Sequence, residues 1–273
     1  MLTRTIVGLV FAVVYLTFLL VFPPVGLAIG VAGVGALASY ELLRAVKAAK
    51  HSCMYVVTAL AAAIIPLGFW AEKGAVATYA ALILMIVSLF FVAVRHYGNG
   101  DNEVQYQQIM VCLFGGLLIP ISLSAMVQLR CMENGRFLVL LPVICASLTD
   151  VGAYFVGMLF GKHRGITKVS PNKSLEGYVG GIVVGCLIMM FYAWALIRFA
   201  HMDVSIPVMA LYGILGCAVT ELGDLSFSLI KRQCGVKDYG NLMPGHGGMM
   251  DRFDSTVFAA PVILLLVWLI PAF

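Results

Sequence analysis

The chain has 273 residues, of which 62% are hydrophobic and only 11% are charged, and its net charge is +4. A soluble domain carries roughly 25% charged residues, so this composition excludes a soluble globular protein and indicates that lipid is the solvent. The 7 cysteines are scattered and form no C-x-x-C pair, which argues against a thiolate zinc site and a disulfide framework.

Apolar segments follow one another along the chain, each about long enough to span a bilayer as a helix. The first runs into Pro23 and Pro24 without a small-residue cleavage site, so it is predicted to be a retained helix and not a signal peptide. The predicted spans are residues 5–22, 25–41, 54–70, 75–94, 108–129, 136–158, 177–200, 206–230 and 254–271. The predicted fold is therefore an all-α integral membrane protein, a polytopic bundle of about nine transmembrane helices.

Basic residues divide unevenly between the two sets of connections that such a bundle creates. Of the 17 Lys and Arg residues, only Lys73, Arg130, Arg136 and Arg198 fall in the set that excludes the N-terminus. Because Lys and Arg concentrate on the cytoplasmic side, we expect a cytoplasmic N-terminus and a C-terminus outside, in a bacterial cell membrane. The polar loops, 159–176 and 231–253, then both face the cytoplasm, and so does the candidate active site.

Charge is concentrated in the second half of the chain. Residues 150–176 and 221–254 together hold half of the charged residues, whereas the first half is almost entirely apolar. We therefore divide the chain into residues 1–130, a scaffold of transmembrane helices, and residues 131–273, a catalytic part that contains both polar loops.

Three acidic residues lie inside or near the ends of apolar segments, namely Asp150, Glu221 and Asp224. An acid in the middle of a transmembrane helix costs roughly 2.5–3.5 kcal/mol by insertion scales, so such residues usually face a polar cavity. The alternative is a place at the membrane interface, or a structural pair with a base. Glu221, Asp224, Ser228 and Lys231 are spaced by 3, 4 and 3 residues, which places them on one helical face and favours the cavity.

The segment "KDYGNLMPGHGGMMDRFDS", residues 237–255, places charges, a histidine and glycines between two apolar segments. Its glycines favour turns and let backbone amides approach a ligand closely. Basic groups with free amides suit phosphate, and several carboxylates suit a hard divalent cation. The segment therefore predicts a Mg²⁺–nucleotide or Mg²⁺–pyrophosphate site at the membrane surface. For Asp251 and Asp254, at the predicted start of the last span, a role as helix caps is the alternative.

The other polar loop adds a second anion-binding feature. Ser170 and Pro171 have the pattern of an N-cap and a first helical position. This pattern predicts a helix start with Lys173 and Ser174 in the first turn, where an anion would bind. The small-residue stripe that follows is more typical of close helix packing than of function; it consists of Gly177, Gly181 and Gly185.

Residues 228–254, "SLIKRQCGVKDYGNLMPGHGGMMDRFD", resemble the signature of the phosphatidate cytidylyltransferases, also called CDP-diacylglycerol synthases. The family pattern is S-x-x-K-R, four residues, K-D, and a short spacer to P-x-H-G-G-x-x-D-R-x-D, and every fixed position is met. Upstream, "DVGAYFVG", "GKHRGITKVSPNKSLEG" and "TELGDLSFS" also look like the family, in the same order. A signature with so many fixed positions is very specific.

The resemblance implies transfer of the cytidylyl group of CTP to phosphatidic acid, which gives CDP-diacylglycerol and pyrophosphate. It implies Mg²⁺ as the cofactor, with a second cation such as K⁺ left open. It assigns metal binding to Asp224 and Asp251. The residues expected to act in catalysis are Lys231, Arg232, Lys237, Asp238, His246, Arg252 and Asp254. The residues expected to bind substrate are Lys173, Ser174, Glu176, Ser228, Gly247 and Gly248.

Each group of these residues has an expected role. The Lys and Arg side chains neutralise the triphosphate and the lipid phosphate. His246 and the amides of Gly247 and Gly248 cradle the leaving pyrophosphate, while Asp238 and Asp254 orient the basic groups or hold a second cation. The expected partners are CTP, phosphatidic acid and membrane lipid, with no nucleic acid, and homodimer formation is left open.

Two other functions were weighed against this one. The first is another CTP-dependent lipid enzyme, such as a kinase of long-chain prenols or a cytidylyltransferase for an archaeal ether lipid, and the strict signature argues against the kinase. The second is an ion-coupled transporter, whose broken helices would also place acids and glycines in the membrane. A transporter should show repeated halves, and the sequence shows no internal repeat.

Overall fold

The computed structural model of the chain describes residues 2–165, 167–242 and 247–273. Regular secondary structure within these residues is helical, and an isolated β-bridge pairs Arg164 with Ser174. The helices are α1 (Leu2–Leu20), α2 (Pro24–Ala45), α3 (Ser52–Trp70), α4 (Gly74–Arg95), α5 (Tyr106–Leu113), α6 (Ile119–Cys131), α7 (Gly135–Leu138), α8 (Leu140–Phe160), α9 (Leu175–Ala200), α10 (Ile206–Gln233) and α11 (Met250–Leu269).

The predicted membrane spans all fall on helices. Eight helical segments of the described residues are long and apolar enough to cross a membrane, and a shorter apolar helix covers Val7–Leu20. One of the eight, Gly100–Cys131, runs through α5, a π-helical turn at Phe114–Leu118 and α6. Large apolar side chains on α4, such as Val76 and Phe91, are more than 60% exposed, as a surface in contact with lipid requires. The predicted all-α polytopic membrane fold is confirmed.

The boundaries of the second polar loop differ from the prediction. Helix α10 continues to Gln233 and α11 begins at Met250, so the connection is residues 234–249 and not 231–253. Apolar character alone placed the last span at residue 254. The helix starts earlier because the carboxylate of Glu41 accepts hydrogen bonds from the backbone N–H groups of Met249 and Met250.

The predicted helix start at Ser170 and Pro171 is wrong. Helix α9 begins at Leu175, and the buried side chain of Ser174 caps it by accepting a hydrogen bond from the N–H of Gly177, at 3.1 Å. Residues 170–173 instead form a turn in which the N–H of Lys173 donates to the carbonyl of Ser170, at 3.2 Å. Lys173 therefore precedes the helix and does not lie in its first turn.

The chain forms two compact units: unit 1 comprises Met1–Arg136 with Cys234–Phe253, and unit 2 comprises Phe137–Gln233 with Asp254–Phe273. The predicted functional division at residue 130 stays a prediction.

Unit 1 is built around α2, α3 and α6. Its core contains Met54, Met85 and Leu89, each of which is at most 1% exposed. Arg130 donates hydrogen bonds to the carbonyls of Leu19 and Phe22, at 3.0 and 3.2 Å. These carbonyls lie at and just beyond the end of α1, where no intrahelical donor is available, so Arg130 anchors α1 within the unit.

Unit 2 contains α8, α9, α10 and most of α11. The glycine stripe packs as the sequence predicted: a Cβ added at Gly181 would lie 2.9 Å from the carbonyl oxygen of Thr149, and one at Gly185 would lie 2.3 Å from the Sγ of Cys217. The missing side chains therefore let α9 approach both α8 and α10 closely. The Tyr212 hydroxyl donates to the carbonyl of Ile270, at 2.6 Å, which ties α10 to the end of α11.

Candidate functional site

A polar cavity of about 540 Å³ lies in unit 2 between α8, α9, α10 and the segment that precedes α9. Cavities of this size hold small-molecule ligands. Two of the three acids that sequence analysis assigned to a polar cavity, Asp150 and Asp224, line it. The polar side chains of its lining also include Arg164, Asn172, Lys173, Ser174 and Tyr178.

Lys173 is the central cation of this cavity. Its Nζ lies 2.8 Å from the Oε2 of Glu221 and 2.8 Å from the Oδ2 of Asp224, and 5.1 Å from the ring centroid of Tyr178. Burial by itself lowers the pKa of Lys173, but the carboxylates of Asp224 and Glu221 outweigh burial and raise that pKa above its ordinary value. Lys173 is therefore charged at neutral pH, as a phosphate-binding group must be.

Glu221 is the most deeply buried acid of this group. Its side chain is 6% exposed, and only Oε2 meets Lys173. The other oxygen, Oε1, has no hydrogen-bond partner among the described residues. A buried carboxylate oxygen without a donor is costly, so the site as it stands has capacity for a further donor or a cation. Sequence analysis assigned Glu221 to a polar cavity but not to the substrate or metal set.

The face of α10 that carries these acids continues toward the end of the helix. The Nζ of Lys231 lies 4.0 Å from the Oδ2 of Asp254 on α11, and both side chains are 11% exposed. The N–H of Ser255 donates to the Oδ1 of Asp254, at 2.7 Å. Lys231 and Asp254, two of the predicted catalytic residues, thus meet within unit 2. The half-buried Ser228, on the same predicted face, stays a prediction.

In unit 1, Asp251 organises the segment before α11. Its Oδ2 accepts hydrogen bonds from the N–H groups of Tyr239 and Gly248, at 2.8 and 2.9 Å. Gly247 has φ +80°, and a Cβ there would lie 2.9 Å from that same Oδ2 and 3.4 Å from the Oδ1 of Asp238. Only glycine combines this backbone conformation with so close an approach. The structure therefore brings together four of the predicted residues, Asp238, Gly247, Gly248 and Asp251.

Glu41 is a residue of this region that sequence analysis missed. It lies in α2, is 7% exposed, and binds the N–H groups of Met249 and Met250. A signal was present, because Glu41 is an acid at the end of a predicted apolar span, like the three acids that were singled out. Its partners could not be identified, since backbone N–H groups leave no mark in a sequence.

The other predicted residues have different surroundings. Glu176 binds His163, through Nδ1 at 2.5 Å and through the backbone N–H, so it holds the segment before α9. The structure places four charged side chains of the predicted set at exposed positions, namely Arg232, Lys237, Asp238 and Arg252. His246 lies outside the described residues.

The donor set of unit 2 fits a hard divalent cation. No group of three or more His, Cys, Asp or Glu side chains poised to hold a metal occurs in the part of the chain that the structure describes. Mg²⁺, however, usually takes one or two carboxylates and completes its shell with water and substrate phosphates. Asp150 and Asp224 line one cavity, and this number of carboxylates suits that mode of binding. Asp251 belongs to unit 1, and its role as a metal ligand stays a prediction.

Known proteins with related sequences match this chain over two thirds of its length or more. A sequence model of the cytidylyltransferase family matches residues 2–270. A protein named phosphatidate cytidylyltransferase from Mycobacterium bovis is 32% identical over 275 residues, which cover 97% of this chain and 88% of the relative. A protein of the same name from Mycobacterium tuberculosis is 32% identical over 97% of this chain and 82% of its own length. One from Staphylococcus saprophyticus is 30% identical over 182 residues, 67% of this chain and 68% of the relative.

Proposed function

The chain belongs to the cytidylyltransferase family, and we propose that it transfers the cytidylyl group of CTP to phosphatidic acid, which gives CDP-diacylglycerol and pyrophosphate. The observation that carries this proposal is the polar cavity of unit 2, where charged Lys173 faces Glu221 and Asp224 within a membrane protein. A lipid substrate requires a site that its phosphate head group can reach from the membrane surface, and a nucleotide substrate requires a polar one. The relatives that match nearly the whole chain bear the name of this activity.

The reaction needs positioning and charge neutralisation more than it needs a base. A phosphate oxygen of phosphatidic acid is already an anion, and it attacks the α-phosphorus of CTP. The bond from that phosphorus to the oxygen bridging to the β-phosphorus breaks, and pyrophosphate leaves with the electron pair. Phosphoryl transfers of this kind depend on oriented reactants and on cations that neutralise the developing charge.

The residues of unit 2 can supply these two functions. Lys173 sits on a turn before α9 and carries a charged ammonium group within the cavity. When a phosphate enters, this ammonium can pair with a phosphate oxygen in place of one carboxylate. Lys231, 4.0 Å from Asp254, is the second proposed phosphate partner of this unit, and Asp254 holds it in place. The exposed Arg232 belongs to the same proposed set.

Mg²⁺ is the proposed cofactor. Asp224 is its proposed ligand in unit 2, and Asp251 is the proposed ligand in unit 1. A bound Mg²⁺ would supply charge neutralisation for the phosphate oxygens and for the leaving pyrophosphate. Asp224 presently shares Lys173 with Glu221, so its carboxylate can exchange one cationic partner for another.

Unit 1 contributes the turn at Gly247 and Gly248, whose backbone Asp251 organises. With Lys237 and Arg252 exposed nearby in sequence, this segment has the groups that bind phosphate oxygens. We propose that this segment, together with His246, binds the triphosphate of CTP. Homodimer formation and a second cation stay predictions.

An assay of purified protein in detergent tests the function. CTP, phosphatidic acid and Mg²⁺ should give equal amounts of pyrophosphate and CDP-diacylglycerol, with CTP or dCTP preferred over ATP. Omission of the lipid should abolish pyrophosphate release, since the lipid phosphate is the nucleophile. Hydrolysis of CTP without lipid, or an equal rate with ATP, would contradict the proposal.

The proposed active site lies on the cytoplasmic side, where nucleotides are, and the C-terminus lies outside. The bias of Lys and Arg between the two sets of connections supports this orientation. A tag at Phe273 should react with a membrane-impermeant reagent in intact cells, whereas a cysteine placed near Tyr239 should not. The opposite labelling pattern would reverse the orientation.

A further inference from the structure

Glu41 joins α2 to the start of α11 within unit 1. Its Oε1 accepts a hydrogen bond from the N–H of Met249, at 3.0 Å, and its Oε2 accepts one from the N–H of Met250, at 2.8 Å. These partners lie 208 and 209 residues away along the chain. With 7% exposure, the carboxylate is buried, and both of its oxygens have a donor.

Two glycines leave room for this carboxylate. A Cβ at Gly240 would lie 2.4 Å from the Oε1 of Glu41, and a Cβ at Gly248 would lie 2.3 Å from its Oε2. Real Cβ atoms do not come so close to a carboxylate oxygen, because the separation is far below van der Waals contact. Gly240 and Gly248 therefore lie directly against the Glu41 carboxylate, and a side chain at either position would displace it.

The start of α11 needs an acceptor from elsewhere in the chain. The first N–H groups of a helix have no partner inside the helix, and a Ser, Thr, Asp or Asn just before the helix usually supplies one. The residues just before α11 are Gly248 and Met249, neither of which has an acceptor in its side chain. A carboxylate is well suited to the positive end of a helix, and its charge-assisted hydrogen bonds are strong.

We propose that Glu41 is a positioning residue for the proposed phosphate-binding turn at Gly247 and Gly248. By capping α11 from α2, it fixes the helical turn on which Asp251 lies. Asp251 in turn accepts hydrogen bonds from the N–H groups of Tyr239 and Gly248, and so fixes the backbone of the turn at Gly247 and Gly248. The inference rests on the proposed function, since it takes this segment to be part of the active site.

Hydrogen exchange tests the contact without any ligand. Glu41→Gln preserves side-chain size but replaces one acceptor oxygen by an NH₂ group, which cannot accept from a backbone N–H. In detergent, without CTP or Mg²⁺, the amides of Met249 and Met250 should exchange about tenfold faster or more than in the unaltered protein. Gly240→Ala should have the same effect, because the added Cβ displaces the carboxylate of Glu41. In this variant Glu41 keeps its charge.

Mg²⁺ dependence then separates positioning from a purely structural role. Residues that orient a metal ligand typically change metal affinity or activity by about tenfold or more, so both variants should need about tenfold more Mg²⁺ for half-maximal CDP-diacylglycerol formation. Glu133→Gln is the matched control: Glu133 is an exposed acid of unit 1, and its replacement should leave the exchange and the Mg²⁺ requirement unchanged.

Each outcome decides the question. Faster exchange with a raised Mg²⁺ requirement supports the proposal, and if Glu41→Gln does not fold, Gly240→Ala alone carries the test. Faster exchange with an unchanged Mg²⁺ requirement means that Glu41 only stabilises the fold, which overturns the positioning role. Unchanged exchange overturns the contact itself. Unaltered protein that does not use CTP would instead contradict the proposed function.

Discussion

Two pairs of carboxylates, one pair in each unit, are held in different ways. In unit 1, Glu41 and Asp251 accept hydrogen bonds from backbone N–H groups. In unit 2, Glu221 and Asp224 share the side-chain ammonium of Lys173. Backbone donors are fixed by the helices and turns to which they belong, whereas an ammonium on a flexible four-carbon stem can move away. The carboxylates of Glu41 and Asp251 are therefore fixed in orientation, and those of Glu221 and Asp224 can exchange partners when a substrate or a cation arrives.

The largest expected effect comes from removing an exchangeable carboxylate. Asp224→Asn keeps the size of the side chain and removes the charge that a hard cation needs. CDP-diacylglycerol synthesis should fall roughly a hundredfold or more, as measured by initial rates at saturating CTP. Asp101→Asn is the control, since Asp101 is exposed and Lys50 binds its backbone carbonyl, which the substitution leaves in place. Ordinary activity and Mg²⁺ dependence in folded Asp224→Asn would refute the assignment.

Removal of the shared cation should reduce stability as well as activity. Lys173→Met leaves the carboxylates of Glu221 and Asp224 without their common partner. Unpairing a buried ion pair costs about 3–5 kcal/mol, and the 26% exposure of Lys173 lowers the expected loss in unfolding free energy to about 2 kcal/mol. Denaturant unfolding in detergent measures this loss. Glu221→Gln added to Lys173→Met should restore part of it, and an unaltered stability in Lys173→Met would show that the pair contributes nothing.

The smallest effects compare glycines of the two units. Gly181→Ala in unit 2 would place a Cβ 2.9 Å from the carbonyl oxygen of Thr149, and such overpacking costs about 1–3 kcal/mol. Gly33→Ala in unit 1 would meet nothing within 4 Å, so it should change stability by less than about 1 kcal/mol. Thermal unfolding of the two variants in one detergent measures the difference. Equal melting temperatures would contradict the close packing of α8 and α9.

The membrane spans could be predicted because the signal is local. Each span is a continuous apolar run, and lipid leaves few alternatives to a helix for such a run. Helix ends were harder to predict, since Ser170 and Ser174 are both plausible caps and only the fold decides between them. Ser174 became the cap, and it is buried to 3% exposure, whereas residues 170–173 form a turn.

The sequence predicts which residue types form the site, but not which residues contact one another. The spacing of Glu221 and Asp224 identified a polar face of α10, and both residues indeed meet one partner. That the partner is Lys173, 48 residues away from Glu221, follows from the packing of α9 against α10, which spacing does not encode. Glu41 escaped prediction for a similar reason, because its partners are backbone N–H groups 208 and 209 residues away.

The cap that Glu41 provides also sets an order of events during translation and folding. The carboxylate is synthesised 208 residues before the N–H of Met249 that completes it. At about 5–20 residues per second, the ribosome needs roughly 10 to 40 seconds to make that stretch. For that interval Glu41 lacks the partners it has in the finished protein, while α2 is already made. The turn at Gly247 and Gly248 can therefore reach its final form only after both α2 and the start of α11 have been translated.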